Sequence, residues 1–202
     1  MAHNALTKAL SETDQLLRTF QTVFSIARLQ SQGQVPDAKR FSASDLARDM
    51  AELYEALAED KGLEFAAEIT NGLYIYGNRD FMAQALANLL DNAIKYTPKG
   101  GITFRLRLTS SDEIEFSVTD TGPGVAESDR YRILERFVRL EDSRSMPGTG
   151  LGLAMVAAVA QAHKGRILVD EGPGIVHLTD DLSGNVINLG PGLRTALVLT
   201  KN

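Results

Sequence analysis

The sequence predicts an α+β domain of two layers, about three helices on about five strands, preceded by one long amphipathic helix. Three observations predict it. Leu6, Leu10, Thr13, Leu17, Phe20, Phe24 and Ala27 alternate spacings of four and three, an a/d seam. Phe81 to Ile94 is an apolar segment of helical length. Runs such as Ile102-Phe104-Leu106-Leu108 and Ile114-Phe116-Val118 alternate with period two, the mark of half-buried strands. The 202 residues, 44% of them hydrophobic, suit one medium domain with its own core plus an appendage. Net charge is −5 with acids and bases interspersed, so no basic block offers a nucleic-acid surface. No cysteine is present, which excludes disulfides and thiolate metal sites and fits a reducing compartment. No apolar run reaches the roughly 18 residues of a membrane span, and no signal peptide is expected.

Taken in order, residues 1–32 form the long helix, with Ala9, Leu16 and Val23 widening its seam towards a bundle. Such a stripe needs partner helices; the alternative is a helix folded back on the following domain. Residues 33–40 are a linker, and 41–202 the main domain. Ser42 is the expected N-cap of the next helix, with Asp45 completing a capping box and Phe41 and Leu46 a hydrophobic staple. Leu46, Met50, Leu53 and Leu57 are its expected buried stripe, and Gly62 its stop. Leu63 to Ile69 alternates as a strand, and Asn71-Gly72 predicts a hairpin returning through Leu73 to Tyr76. Asn78 or Asp80 caps the apolar helix. The strand ending at Asp120 leads into Thr121-Gly-Pro-Gly124, and a short helix covers about Ser128 to Leu134. A glycine run, Gly148-Thr149-Gly150-Leu151-Gly152-Leu153, opens a helix that ends near His163. Strands follow at Arg166 to Asp170 and Leu193 to Leu199. Glu171 to Gly190 reads as a loop with an extra hairpin.

Four features carry chemistry. Gln84, Asn88, Asn92 and Lys95 fall on one face of the apolar helix. Two asparagines buried there without partners would each cost roughly 1–3 kcal/mol, so a polar ligand lying on the stripe explains them better than packing does. The bland reading is a solvated face. The glycine run can cradle an anion at a helix start, although no Gly-Lys-Ser/Thr follows and no strand leads into it, which excludes a Walker loop and a dinucleotide fingerprint. Asp120, at a strand end beside Gly122 and Gly124, can accept from an exocyclic amine; alone it reads equally as a plain turn. Arg136 and Arg139 flank Phe137 before a polar loop and can serve as phosphate-facing cations, or as a solvated helix end.

In this order and spacing the four segments resemble the ATP-binding catalytic domain of bacterial sensor histidine kinases, relatives of the gyrase, heat-shock chaperone and mismatch-repair ATPases. Asn88-Leu-Leu-Asp-Asn92-Ala-Ile-Lys95-Tyr96-Thr97-Pro98 resembles the N box and Asp120-Thr-Gly122-Pro-Gly124 the G1 box. Glu135-Arg136-Phe137-Val-Arg139 resembles the F box, and Gly148 to Leu153 the G2 box. The resemblance implies a Bergerat-type fold with a mixed sheet, and ATP and Mg²⁺ as cofactors. Asn92 would ligate Mg²⁺; Asn88 and Lys95 would hold phosphates, and Tyr96 would pack on adenine. Asp120 would read the adenine amine, while Gly122 and Gly124 make room for the base. Arg136 and Arg139 would lie in or near a lid, residues 141–147, and Gly148, Thr149, Gly150, Leu151, Gly152 and Leu153 would cradle the triphosphate.

The pattern departs from the family in one respect. Its phosphoacceptor histidine sits in a motif absent here, and His3, His163 and His177 are poor substitutes. The first helix is similar to the second helix of the family's dimerisation hairpin. The resemblance thus implies a homodimer through that helix, an upstream acceptor helix, a response-regulator receiver domain as partner, and a cytoplasmic position in a parent anchored in the bacterial inner membrane. Two other readings stay open. A related ATPase or anti-sigma-type serine kinase would carry a glutamate base where Gln84 stands, and Gln84 cannot take a proton. A degenerate kinase could act as a dimeric scaffold.

Overall fold

The computed structural model describes residues 2–31, 35–141, 148–174, 177–179, 186–188 and 190–200. The lid range lies outside them from residue 142 to 147, as do parts of the linker and of Glu171 to Gly190.

Helix α1 (Ala2–Ser31) is followed by strand β1 (Lys39–Ser42) and helix α2 (Ala43–Asp60). Regular structure therefore reaches into the stretch expected as linker. Ser42 caps α2 as expected, its hydroxyl accepting from the Asp45 N–H at 3.0 Å. The buried face of α2 is Leu46, Ala47, Met50, Ala51, Tyr54 and Ala58. Leu53 and Leu57 do not share it; they are 57% and 43% exposed. Beyond Met50 the buried face shifts to the neighbouring positions Ala51, Tyr54 and Ala58, because alanines and a tyrosine supply the contact there.

Strands β2 (Glu64–Ile69) and β3 (Tyr74–Gly77) are joined by the Asn71-Gly72 turn, but they are not a hairpin. β3 pairs antiparallel with β1, while β2 runs parallel to β4 (Gly101–Leu108) at the sheet edge. The turn signal fixed a reversal of direction, not the partners. Helix α3 (Arg79–Tyr96) starts at Asn78, whose side-chain oxygen accepts from the N–H groups of Asp80 and Phe81 at 2.9 and 3.1 Å. β5 (Glu113–Asp120) follows β4. The expected helix near 128–134 is two single 3₁₀ turns, Glu127–Asp129 and Arg132–Leu134. Helix α4 (Gly152–Ala162), β6 (Arg166–Glu171), a small β7–β8 hairpin (His177–Thr179 and Val186–Asn188) and β9 (Leu193–Thr200) complete the order.

The main sheet has five strands in the order β2-β4-β5-β9-β6, with β2–β4 parallel and the rest antiparallel. It is the mixed sheet that the resemblance implies. Strand alternation puts Ile102, Phe104, Leu106, Ile114, Phe116, Val118, Leu197 and Leu199 on one face, all buried in one core with α2, α3 and α4. The opposite face carries ion pairs between strands, among them Glu68–Arg105 at 2.6 Å and Arg107–Glu115 at 2.8 Å. Burial drives the Glu115 carboxyl up, but hydrogen bonds from Arg107 and Arg194 outweigh it and leave the group below its ordinary range.

Asp120 belongs to the helix-covered face, two residues beyond Val118 and opposite Ile102 and Leu193. The alternation that builds the core thus aims this carboxylate at the end of α3. His163 caps α4 and fastens it to α3. Its Nδ1–H donates to the Val159 carbonyl at 2.8 Å, and Nε2 accepts from the Asn78 N–H at 3.3 Å. Burial holds its pKa below the usual histidine value.

Candidate functional site

α3 supplies one wall. Phe81, Met82, Ala85, Leu86, Leu89, Leu90 and Ala93 are buried, whereas Gln84, Asn88, Asn92 and Lys95 are all half-buried along the neighbouring face. The spacing in the sequence therefore puts these four where a ligand can reach them. Asn88 Nδ2 donates to the Gln84 carbonyl at 2.8 Å, which turns its Oδ1 outward. Lys95 Nζ donates to the Tyr96 hydroxyl at 2.8 Å and lies 4.4 Å from the centroid of that ring.

The glycine run lies directly on this wall. A Cβ at Gly152 would stand 2.8 Å from Asn88 Oδ1, and one at Gly148 2.8 Å from Lys95 Nζ. Gly150 is required twice over. Its φ is +70°, and a Cβ would meet the backbone of Phe137 and Val138 at 2.8 Å. No side chain caps the start of α4 at Leu151, so the first-turn N–H groups and the positive end of the helix dipole remain for an anion. Leu151 itself is buried and anchors the turn, Leu153 packs half-buried against the core, and Thr149 is half-exposed beside Gly148.

The third segment braces the run. Phe137 sits at φ +63°, a conformation rare for a bulky residue, and its N–H donates to the Gly150 carbonyl at 2.9 Å. Arg139 Nη1 donates to the Gly148 carbonyl at 3.1 Å. Arg136 goes elsewhere: its Nη2 donates to Gln30 Oε1 on α1. Of the two arginines assigned to a lid, one touches the glycine run and the other the end of the long helix.

At the far end of α3, a Cβ at Gly122 would approach the Tyr96 carbonyl to 2.7 Å. The Gly122 N–H donates to Asp120 Oδ1 at 2.8 Å. Burial pushes the Asp120 carboxyl up to about 6, against the hydrogen bonds from the N–H groups of Gly122 and Leu193. Gly124 does not face α3. It packs on Gly192, whose carbonyl would lie 2.6 Å from a Cβ there.

One contributor escaped the sequence reading. Gly190-Pro191-Gly192 lies across the Asp120–Gly124 turn, with the Gly192 N–H donating to the Gly122 carbonyl at 3.0 Å and the Gly174 N–H to the Pro191 carbonyl at 3.1 Å. A Gly-Pro-Gly directly before a strand was the available signal. Thr97, just after Tyr96, is completely buried, and its hydroxyl has no hydrogen-bond partner.

Asn88, Lys95 and Tyr96 thus meet Gly152, Gly148 and Gly122 in turn along α3. Asn92 lies between them on the same face. Among the described residues no group of three His, Asp or Glu side chains could hold a metal. Any metal here would take one or two amide oxygens, with the ligand's phosphates and water completing its shell, which is the coordination Mg²⁺ tolerates.

Comparison with known proteins gives concordant matches. The model of the histidine kinase-, DNA gyrase B-, and HSP90-like ATPase family matches residues 77–192. The sensor-like histidine kinase SenX3 of Mycolicibacterium smegmatis is 31% identical over 83% of this chain and 44% of its own length. The adaptive-response sensory kinase SasA of Synechocystis is 37% identical over 72% of this chain and 38% of its own. The chain therefore spans less than half of either relative. Full-length ShkA, solved in complex with AMPPNP, superimposes over 98% of this chain and 39% of its own, with a TM-score of 0.76 at 29% identity.

Proposed function

Because the chain belongs to the histidine kinase-, DNA gyrase B-, and HSP90-like ATPase family, we propose that it binds Mg-ATP between α3 and the glycine run and transfers the γ-phosphoryl group to a histidine in two-component signalling. The observation that carries this reading is the glycine run lying on the amide stripe, with Gly152 against Asn88 and Gly148 against Lys95. Phosphoryl transfer asks a protein mainly for positioning and charge neutralisation. The run and the uncapped start of α4 supply the first; Lys95 and Arg139 supply the second. Asn92 would hold Mg²⁺ through its amide oxygen, and the ion would offset phosphate charge. Asp120 accepts from the adenine amine, and Tyr96 covers the base.

The acceptor histidine belongs to another segment or chain. His163 is buried with both ring nitrogens engaged, so it cannot attack a phosphoryl group. The apolar face of α1 pairs with a second copy, and the receiver domain of a response regulator takes the phosphoryl group onward. No described helix is long and apolar enough to cross a membrane; we place this domain on the cytoplasmic side of a membrane-anchored parent.

Calorimetric titration with Mg-ATP tests the site. Wild type should bind in the micromolar to submillimolar range. Asp120→Asn should lose about 1.5–3 kcal/mol, roughly 10- to 150-fold in affinity, because a charged hydrogen-bond acceptor becomes a mismatched amide. Equal affinity in the variant would remove Asp120 from the site.

A further inference from the structure

The end of α3 is not completed by its own chain. In a continuing helix the N–H of residue 98 would donate to the Ile94 carbonyl, but residue 98 is proline and has no N–H. The Thr97 N–H serves the Ala93 carbonyl at 3.1 Å, and the ladder stops there. A side chain from another helix serves the next carbonyls. Lys61 Nζ donates to Ile94, to Lys95 at 3.3 Å and to Thr97 at 3.1 Å. An ammonium has three donors, and all three go to this one helix end.

Lys61 is itself the C-cap of α2, its N–H donating to the Ala58 carbonyl at 3.0 Å, and Gly62 at φ +72° then turns the chain away. One residue thus closes α2 through its backbone and α3 through its side chain. A cation at a helix C-terminus is also favoured by the dipole. The turn held in this way is the one that carries Lys95, whose Nζ lies 2.8 Å from where a Cβ of Gly148 would be. Terminal turns fray readily. This one has to keep an ammonium against the glycine run, and a fixed partner on α2 is what prevents the fraying.

We propose that Lys61 is a positioning residue for phosphate binding: it acts through the last turn of α3, fixing Lys95 opposite the glycine run, and not through the ligand. The proposal rests on the ATP site above and deepens it. A lysine that only capped a helix would contribute to stability and leave the energetics of Lys95 untouched. A lysine that positions Lys95 is coupled to it, and removing either one removes the same part of the binding energy.

The test is a double-mutant cycle. Mg-ATP is titrated into wild type, Lys61→Met, Lys95→Met and the double variant, with Lys61→Arg as the conservative control. Melting is followed in parallel, so that all are compared at a temperature where each is folded. Lys61→Met keeps the aliphatic stem and loses the donors. Expected is a roughly tenfold loss of affinity in Lys61→Met, because charge-assisted hydrogen bonds hold the turn. Lys61→Arg should bind nearly as wild type does, and adding Lys61→Met to Lys95→Met should cost little more. A lowered melting temperature with undiminished affinity in Lys61→Met would overturn the proposal. So would a loss of the same factor in wild type and in the Lys95→Met background. Asp120→Asn separates the levels. If it weakens Mg-ATP while Lys61→Met does not, the site stands and the role of Lys61 falls; if neither does, both fall.

Discussion

Two helices break the ordinary rule of amphipathicity in opposite ways. α1 leaves apolar side chains in water: Leu6, Leu10, Leu16, Leu17, Phe20 and Phe24 are between 55% and 71% exposed, and Phe20 and Phe24 stack on each other at 6.5 Å. α3 sets amides beside a buried face. An exposed apolar seam of this length is satisfied by another protein surface. A half-buried polar stripe is satisfied by a polar ligand. The difference is what supports our proposal of assembly for α1 and nucleotide binding for α3. α1 joins the domain where Ile26 and Leu29, both off the seam, are buried at its end, which packs on α4, and where Arg136 reaches Gln30.

The largest expected effect breaks the α1 half of this contrast. Phe20→Asp combined with Phe24→Asp should abolish self-association in sedimentation, since each buried aromatic contributes about 1.5–3 kcal/mol per protomer. Nucleotide affinity should not change. A variant that stays dimeric would mean that the seam serves another purpose.

Next is Gly150→Ala on the α3 side. A methyl at φ +70° pressed on the Phe137 backbone should displace the run and cost about 1–3 kcal/mol of Mg-ATP binding. Unaltered binding would show that the run does not form the cradle. A smaller effect sharpens the contrast within α3 itself. Asp91 is off the stripe and already has a protein partner, accepting from the Tyr54 hydroxyl at 2.9 Å. Tyr54→Phe should cost about 1 kcal/mol in chemical denaturation and leave nucleotide affinity alone. Lost affinity would mean that the stripe is not functionally separate from its neighbours.

The smallest effect concerns pH. Asp120 has a folded pKa of about 6 against 3.8 for the free group, so the folded state holds more protons between those values. Its burial therefore costs stability as pH rises through that window. Binding runs the other way, because the acceptor must be ionised. Affinity for Mg-ATP should weaken as pH falls through about 6, more steeply in wild type than in Asp120→Asn. Parallel profiles would detach Asp120 from recognition.

Much of this was legible in the sequence, for identifiable reasons. The amide stripe, the glycine run and Asp120 were readable because their spacing is local and the helix and strand periods fix their faces. The caps Ser42 and Asn78 were legible for the same reason. Partnership was not. The Asn71-Gly72 turn announced a reversal, yet β3 joined β1 and β2 joined β4, choices settled by packing across the chain. Leu53 and Leu57 fit the period of α2 but lie beyond the width of its contact. The direction of Arg136 depends on where the end of α1 comes to rest, and the isolation of the Thr97 hydroxyl depends on everything packed around it.

The most direct measurement is a crystal structure with magnesium and a non-hydrolysable ATP analogue. Expected are the phosphates against Gly148 to Gly152, the Asn92 amide oxygen on the metal and Asp120 on the adenine amine. An analogue bound elsewhere, with the glycine run still seated on Asn88 and Lys95, would contradict the assignment of α3 as a nucleotide wall.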